Sequence, residues 1–206
     1  MLPGCPRRTR REILVGMAPT RQLHCLPDPS EVTLRDGTAI TVRALVPEDR
    51  ELIAAAFERL SPRSRYLRFF SPLPRLSTGL LNSLMDVDHA RHVALVAIHE
   101  AACIGVVRYV VDRDDPTLAD FAITVIDAHQ GRGLGRALTA AIARVAHARG
   151  VRRLSLDVHP ENRVMQNLAR SLGARLSLRD GVLSGTLGLP LAEPAEPVAP
   201  ALPAAA

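Results

Sequence analysis

Apolar and polar positions alternate from Val32 to Arg43 around Asp36-Gly37, the pattern of a two-stranded hairpin with a type I′ turn. After Pro47, which suits a first helical turn, Leu52, Ile53, Ala56, Phe57 and Leu60 recur at helical spacing. Ser61-Pro62 caps a second short helix, and a third is predicted from about Ser77 to Met85, beyond Ser71-Pro72-Leu73-Pro74. Three strand-like runs follow, Val93 to Ile98, Ala102 to Val111 and Leu118 to Ile126, with Asp114-Asp115-Pro116 marking the last turn. Leu134, Leu138, Ile142 and Val145 form one face of a helix from Leu134 to Arg149, and Gly150 is placed to end it. Leu154, Leu156 and Val158 alternate as a strand, and Met165, Leu168, Ala169 and Leu172 give a helical face closed by Gly173. Short strands near Ala174 to Leu178 and Val182 to Leu187 join through Asp180-Gly181. Interleaved strands and helices make the chain α/β, with no internal repeat.

One junction in this order carries chemistry. Gln130-Gly131-Arg132-Gly133-Leu134-Gly135 lies between an apolar strand and an amphipathic helix, so it presents bare backbone N–H groups and the positive end of a helix dipole to an anion. The glycines allow close approach, and a pyrophosphate is the ligand that fits best. A dinucleotide fingerprint places its third glycine where Arg136 stands, and four residues, Asp127 to Gln130, separate strand from glycines. No Gly-Lys-Ser/Thr follows, which excludes a Walker loop. Asp157 lies where a dinucleotide enzyme keeps its ribose acid, but its strand neighbours Arg153 and Ser155 equally describe a solvent face.

Composition limits the possibilities. With 206 residues and 47% hydrophobic content, one domain of roughly 150 residues plus tails is expected. Three segments are predicted: a flexible basic N-terminal tail over 1–30, the folded domain over 31–189, and a disordered Pro/Ala-rich tail over 190–206. No apolar run approaches the roughly 20 residues needed to cross a bilayer. Arg7, Arg8, Arg10 and Arg11 precede an apolar stretch too short for a signal peptide, and Met17 is an alternative start. Cys5, Cys25 and Cys103 are odd in number and lack metal spacing, so no metal is expected and the reducing cytoplasm is the natural setting. The net charge is +5, and all 26 basic residues are Arg. They are not interleaved with aromatics, which argues against nucleic acid.

The Gln-x-x-Gly-x-Gly pattern resembles the acyl-CoA-binding motif of the GNAT N-acetyltransferases. Asn162 with Gly173-Ala174 downstream resembles that family's Asn…Leu-Gly-Phe segment, and the resemblance covers most of Val32 to Leu189. The run from Ser61 to Pro74 is similar to the acetyltransferase domain of bacterial Pat-type protein lysine acetyltransferases. The resemblance implies a GNAT fold, a central mixed, mostly antiparallel twisted sheet flanked by helices, with acetyl-CoA as cosubstrate. It implies that the loop residues Gln130, Gly131, Arg132, Gly133, Leu134, Gly135 and Arg136 hold the CoA pyrophosphate. Backbone groups of Ile123 and Val125 would pair with pantetheine, the Val125 N–H polarising the thioester carbonyl, and Asn162 would contact the cofactor arm.

The implied acceptor is an amine, a protein lysine first and a small amine second, attacking directly. An amine must be neutral to attack, and a lysine of ordinary pKa is neutral in only about 1 in 2,500 molecules at pH 7, a cost of roughly 4.6 kcal/mol. In Pat-type enzymes a glutamate early on the corresponding strand is the base, and Asp120 occupies that position here, needing water to bridge its shorter side chain. Strand alternation turns Asp120 away from Phe121, Ile123 and Val125. The family's tyrosine acid is replaced by Ala169, so a catalytically weak acyl-CoA-binding module is the alternative. Cys103 reads as a buried structural cysteine. His129 and His159 flank the expected cofactor gap, while Arg63, Arg65, Arg68 and Arg75 lie on the acceptor side, either solvated or facing an acidic protein surface.

Overall fold

The computed structural model describes residues 28–191. The expectations for the basic N-terminal tail, for Cys5 and Cys25, and for the Pro/Ala-rich end lie outside the described residues. Strands β1 (Ser30–Thr33) and β2 (Ala39–Ala44) are followed by a 3-10 turn at Pro47–Asp49 and helices α1 (Arg50–Glu58), α2 (Pro62–Phe69) and α3 (Thr78–Met85). Then come β3 (His92–His99), β4 (Ala102–Val111), β5 (Leu118–Val125), α4 (Leu134–Ala148), β6 (Arg153–Val158), α5 (Arg163–Ser171), β7 (Arg175–Arg179) and β8 (Val182–Gly188).

The strands form one mixed sheet in the order β1-β2-β3-β4-β5-β6-β8-β7. Only β5 and β6 run parallel, and every other neighbouring pair is antiparallel. Both faces of the centre are covered, so β3 reads as a continuous apolar run from Val93 to Ala97, each residue 0% exposed. Helix α4 lies on the face of Gly105, where an added Cβ would come within 3.0 Å of Leu138 Cδ1 and 3.4 Å of Leu134 Cδ2. The other face carries α2 and α3: Arg68 of α2 donates to Thr124 Oγ1, and Arg108 of β4 donates to the Leu84 carbonyl of α3.

The first hairpin differs from its sequence pattern. Only Gly37 is left-handed, at φ 84°, while Asp36 is not among the positive-φ residues, so the turn is not type I′. Gly37 N–H closes back on the Leu34 carbonyl at 3.0 Å, and Asp36 accepts the Thr38 N–H at 3.1 Å through its side chain. A three-residue loop ending in a left-handed glycine replaces the two-residue turn. The two-residue form occurs instead at Asp180-Gly181, where φ is 47° and 80° and Arg179 pairs with Val182.

Candidate active site

Strands β5 and β6 pair only from Leu118 with Arg153 to Asp120 with Ser155, although both continue well beyond. Past Asp120 they part, and the opening is a groove of about 720 Å3, a size typical of ligand sites. The Ile126 N–H bonds to the Ile104 carbonyl, and the Leu118 carbonyl accepts from Asp112. Even-numbered backbone groups of β5 therefore point to β4, and those of Phe121, Ile123 and Val125 point into the gap. Gln130 reaches back along the gap, its Nε2 donating to the Val125 carbonyl at 3.0 Å.

The glycine-rich loop closes one end of the groove. Gly131 and Gly133 adopt φ of 77° and 92°, a left-handed conformation natural to glycine. The first helical bond of α4 runs from Ala137 N–H to the Gly133 carbonyl, so the N–H groups of Leu134, Gly135 and Arg136 open the helix without an intrahelical acceptor. The β1–β2 hairpin buttresses the loop: Arg35 N–H meets the Arg132 carbonyl at 3.3 Å, and Arg132 pairs with Asp36 at 3.3 Å. Leu134 sends its side chain into the core, and Arg136 spends its guanidinium on Ser171. Leu134 can serve an anion only through its backbone N–H, while Arg136 offers its backbone N–H and the part of its guanidinium not bonded to Ser171.

The groove lining carries both signs of charge, and two of its carboxylates, Asp120 and Asp157, sit near the point where the strands part. Asp120 faces the α1–α3 side, with Ala122 and Thr124, and is open to the groove. Desolvation by the protein around it pushes its carboxyl above the usual carboxylate range, Asp157 adds to the rise, and Arg68 restrains it. Asp157 lines the same groove and accepts Ser184 Oγ at 2.7 Å. Sequence alone describes Asp157 equally as a ribose acid or as a solvent-face residue. Its pairing two positions beyond Ser155, on the side of Asp120, is what brings the two carboxylates together. Asn162 also lines the groove, and its Oδ1 caps α5 by accepting the Met165 N–H at 3.0 Å.

From residue 51 to 174 the chain matches the Acetyltransferase (GNAT) family. The chain belongs to that family. It is an acyl-CoA-dependent N-acyltransferase with acetyl-CoA as cosubstrate. It is similar to an acetyltransferase of Pseudomonas aeruginosa, 34% identical over 145 residues, covering 68% of this chain and 77% of that protein. It is also 32% identical over 148 residues to the acetyltransferase Pat of Mycolicibacterium smegmatis, covering 71% of this chain and 44% of that longer protein. The crystal structure of the GNAT domain of S. lividans PAT superposes with a TM-score of 0.75 at 34% identity, covering 78% of this chain and 97% of that one.

The residues of this GNAT domain fit a CoA ester: a gap edged by outward backbone groups, then a left-handed glycine loop opening a helix. Asp127 carried no site reading in the sequence pattern. Asp127, just past β5, accepts Ser61 N–H, Ser61 Oγ and Ser64 Oγ at 3.0, 2.8 and 2.7 Å and so fixes the start of α2 beside the groove. Arg68 enters the groove from α2, whereas Arg65 turns inward over the Phe57 ring at 4.3 Å. His159 meets the Tyr66 ring edge-on at 5.0 Å and the Phe70 ring at a tilt at 5.7 Å, and Phe70 lines the groove. His129 packs on His99 instead. Cys103 is 2% exposed, with its thiol pushed up to about 11 by burial, so it is not poised as a nucleophile.

Proposed function

We propose that this GNAT domain transfers an acetyl group from acetyl-CoA to the side-chain amine of a protein lysine, by direct attack, in the cytoplasm. The observation that carries the reading is the position of Asp120 at the point where β5 and β6 part, facing away from the backbone edge of Ile123 and Val125. The base thus sits on the acceptor side of the gap, and the CoA arm belongs to the backbone side. A carboxyl whose pKa is raised by burial and by Asp157 is a better proton acceptor than an ordinary aspartate.

In this reading Asp120 takes the ammonium proton through a water, supplying part of the roughly 4.6 kcal/mol that neutralising a lysine costs at pH 7. The Val125 N–H polarises the thioester carbonyl, Gly131, Gly133 and the first amides of α4 hold the pyrophosphate, and Asn162 steadies the cofactor arm. Similarity to Pat-type proteins over 71% of the chain favours protein lysine over small amines. Ala169, a residue of α5 that is 0% exposed, leaves the departing thiolate without the family's tyrosine acid, which favours slow turnover as the second reading.

The test follows CoA-thiol release with acetyl-CoA and either a lysine-bearing protein, such as an acyl-CoA synthetase, or a panel of small amines. Release with the protein acceptor alone, with mass-mapped acetyl-lysine, supports the proposal. Faster release with a small amine moves the acceptor to that class, and acetyl-CoA binding without release on any acceptor supports a binding module.

A further inference from the structure

We propose that a small cavity beside the transfer groove is a carboxylate subsite, in which Arg68 receives an acidic group carried by the acyl donor or by the acceptor. The cavity, about 50 Å3, lies between α1, α2 and the sheet, with walls that include Ile53, Ala56, Phe57 and Leu84. Leu60, Arg68, Phe69, Ala122 and Thr124 line both this cavity and the groove, so the two spaces meet at Arg68.

The charge of this cavity is unbalanced. Its lining holds two guanidiniums, Arg68 and Arg108, and no carboxylate. Neither forms an ion pair among the described residues. Arg108 commits Nη1 to His92 Nε2 at 3.3 Å and Nη2 to the Leu84 carbonyl at 3.0 Å. Arg68 donates only its Nε, to Thr124 Oγ1 at 3.1 Å, and packs over the Phe69 ring at 5.0 Å. Its two terminal nitrogens carry no hydrogen bond among the described residues. Asp120 acts on Arg68 from beyond ion-pair distance.

Burial lowers the pKa of both arginines, Arg108 to about 10, yet a guanidinium stays charged near neutral pH. A charge withdrawn from water without a partner is costly. A planar fork with both ends free matches a carboxylate at two points. The small volume suits a short chain end of a few heavy atoms. Apolar walls then suit a short methylene chain leading to that carboxylate. Thr124 adjoins Val125, so the donor side of the inference rests on the proposed placement of the thioester carbonyl at Val125 and the acceptor side on the proposed lysine acceptor.

Two binding experiments on the full chain test it without turnover. In the donor arm, calorimetry compares succinyl-CoA with butyryl-CoA, which differ at the chain end by carboxylate against methyl. In the acceptor arm, with CoA present, a lysine peptide carrying a neighbouring Glu is compared with its Gln counterpart. At least about tenfold tighter binding of the acidic member is expected in one arm, falling below about threefold in Arg68→Met, and the arm that responds names the source of the carboxylate. Equal binding in both arms by the unmodified protein overturns the proposal, as does a preference that survives Arg68→Met. The comparison of ligands on the unmodified protein stands even if the variant fails to fold. Absence of CoA release on every acceptor would remove Asp120 as base and leave these binding results intact.

Discussion

Asp127 and Ser61, far apart in sequence, are joined by two hydrogen bonds: Ser61 N–H to Oδ2 at 3.0 Å and Ser61 Oγ to Oδ1 at 2.8 Å. Ser61 is also the N-cap of α2, its Oγ accepting the Ser64 N–H at 3.1 Å. One carboxylate therefore ties the turn leading to the phosphate loop to the helix that carries Arg68. Replacing Asp127 by Ala is expected to destabilise the fold by about 1–2 kcal/mol in urea unfolding, and to raise KM for the acceptor more than for acetyl-CoA. Burial works against the charged carboxylate here, but hydrogen bonds from Ser61 and Ser64 outweigh it, and the pKa is lowered. The contribution is present at neutral pH and is lost as pH falls through that lowered value. Equal KM changes for both substrates would show that α2 is not held for the acceptor.

Asp120→Asn is expected to reduce kcat/KM by about 10²- to 10⁴-fold and to move the pH–rate profile upward, because the acceptor must then deprotonate unaided. Its neighbours should move the acid limb in opposite directions. Asp157 raises the Asp120 carboxyl, so Asp157→Asn should carry that limb to lower pH. Arg68 restrains the rise, so Arg68→Met should carry it higher. Because the folded-state pKa of Asp120 is raised, its stabilising share is present below the unfolded value and lost as pH rises through the folded one. Asp120→Asn should therefore gain stability relative to the unmodified protein at pH 7 but not at pH 3. A pH–rate profile unmoved by all three substitutions would take Asp120 out of the chemistry.

Local periodicity made most of this legible in advance. The apolar spacing of Leu134, Leu138 and Ile142 announced α4, and the glycines before it announced the left-handed loop that opens that helix, because both signals are contained in a few adjacent residues. The turn at Asp36-Gly37 was misjudged since the Asp36 side chain closes the loop onto Thr38 N–H, an option a dipeptide preference does not register. Asp157 and Arg68 were undervalued for a different reason. Their surroundings come from strand register and from a helix laid over the sheet, and an alternating strand or a charged helix residue reads the same whether its outer face meets water or a groove.

Gly131 and Gly135 separate the two ways a glycine can matter in the loop. At Gly131 an added Cβ meets nothing within 4 Å, but φ is +77°, so Gly131→Ala should cost about 1–2 kcal/mol of backbone strain. Relief of that strain would turn the loop amides away from the anion, and acetyl-CoA affinity is expected to fall about tenfold. Gly135 carries no positive φ, and its Cβ would meet Leu168 Cδ2 at 3.2 Å, the movable end of a side chain. Gly135→Ala should therefore alter stability slightly and cofactor affinity less than Gly131→Ala. Isothermal titration with acetyl-CoA orders the two, and the reverse order would mean that close helix packing, rather than loop conformation, governs the site.

The absence of lysine makes self-modification a clean test of direct transfer. All 26 basic residues are arginine, and a guanidinium stays protonated under conditions where an amine can be nucleophilic. Cys103, the one cysteine among the described residues, is buried with its thiol raised to about 11, so it offers no thiolate to accept an acyl group. Prolonged incubation of the chain with acetyl-CoA should therefore add at most one hydroxylamine-resistant acetyl group by intact mass, at the α-amino group. Partial chemical acetylation there is allowed by its ordinary pKa near 8. Two or more such groups would mean that a serine or threonine hydroxyl, and not an amine side chain, had been acylated. A hydroxylamine-labile adduct mapping to Cys103 would replace direct attack with a covalent acyl-enzyme.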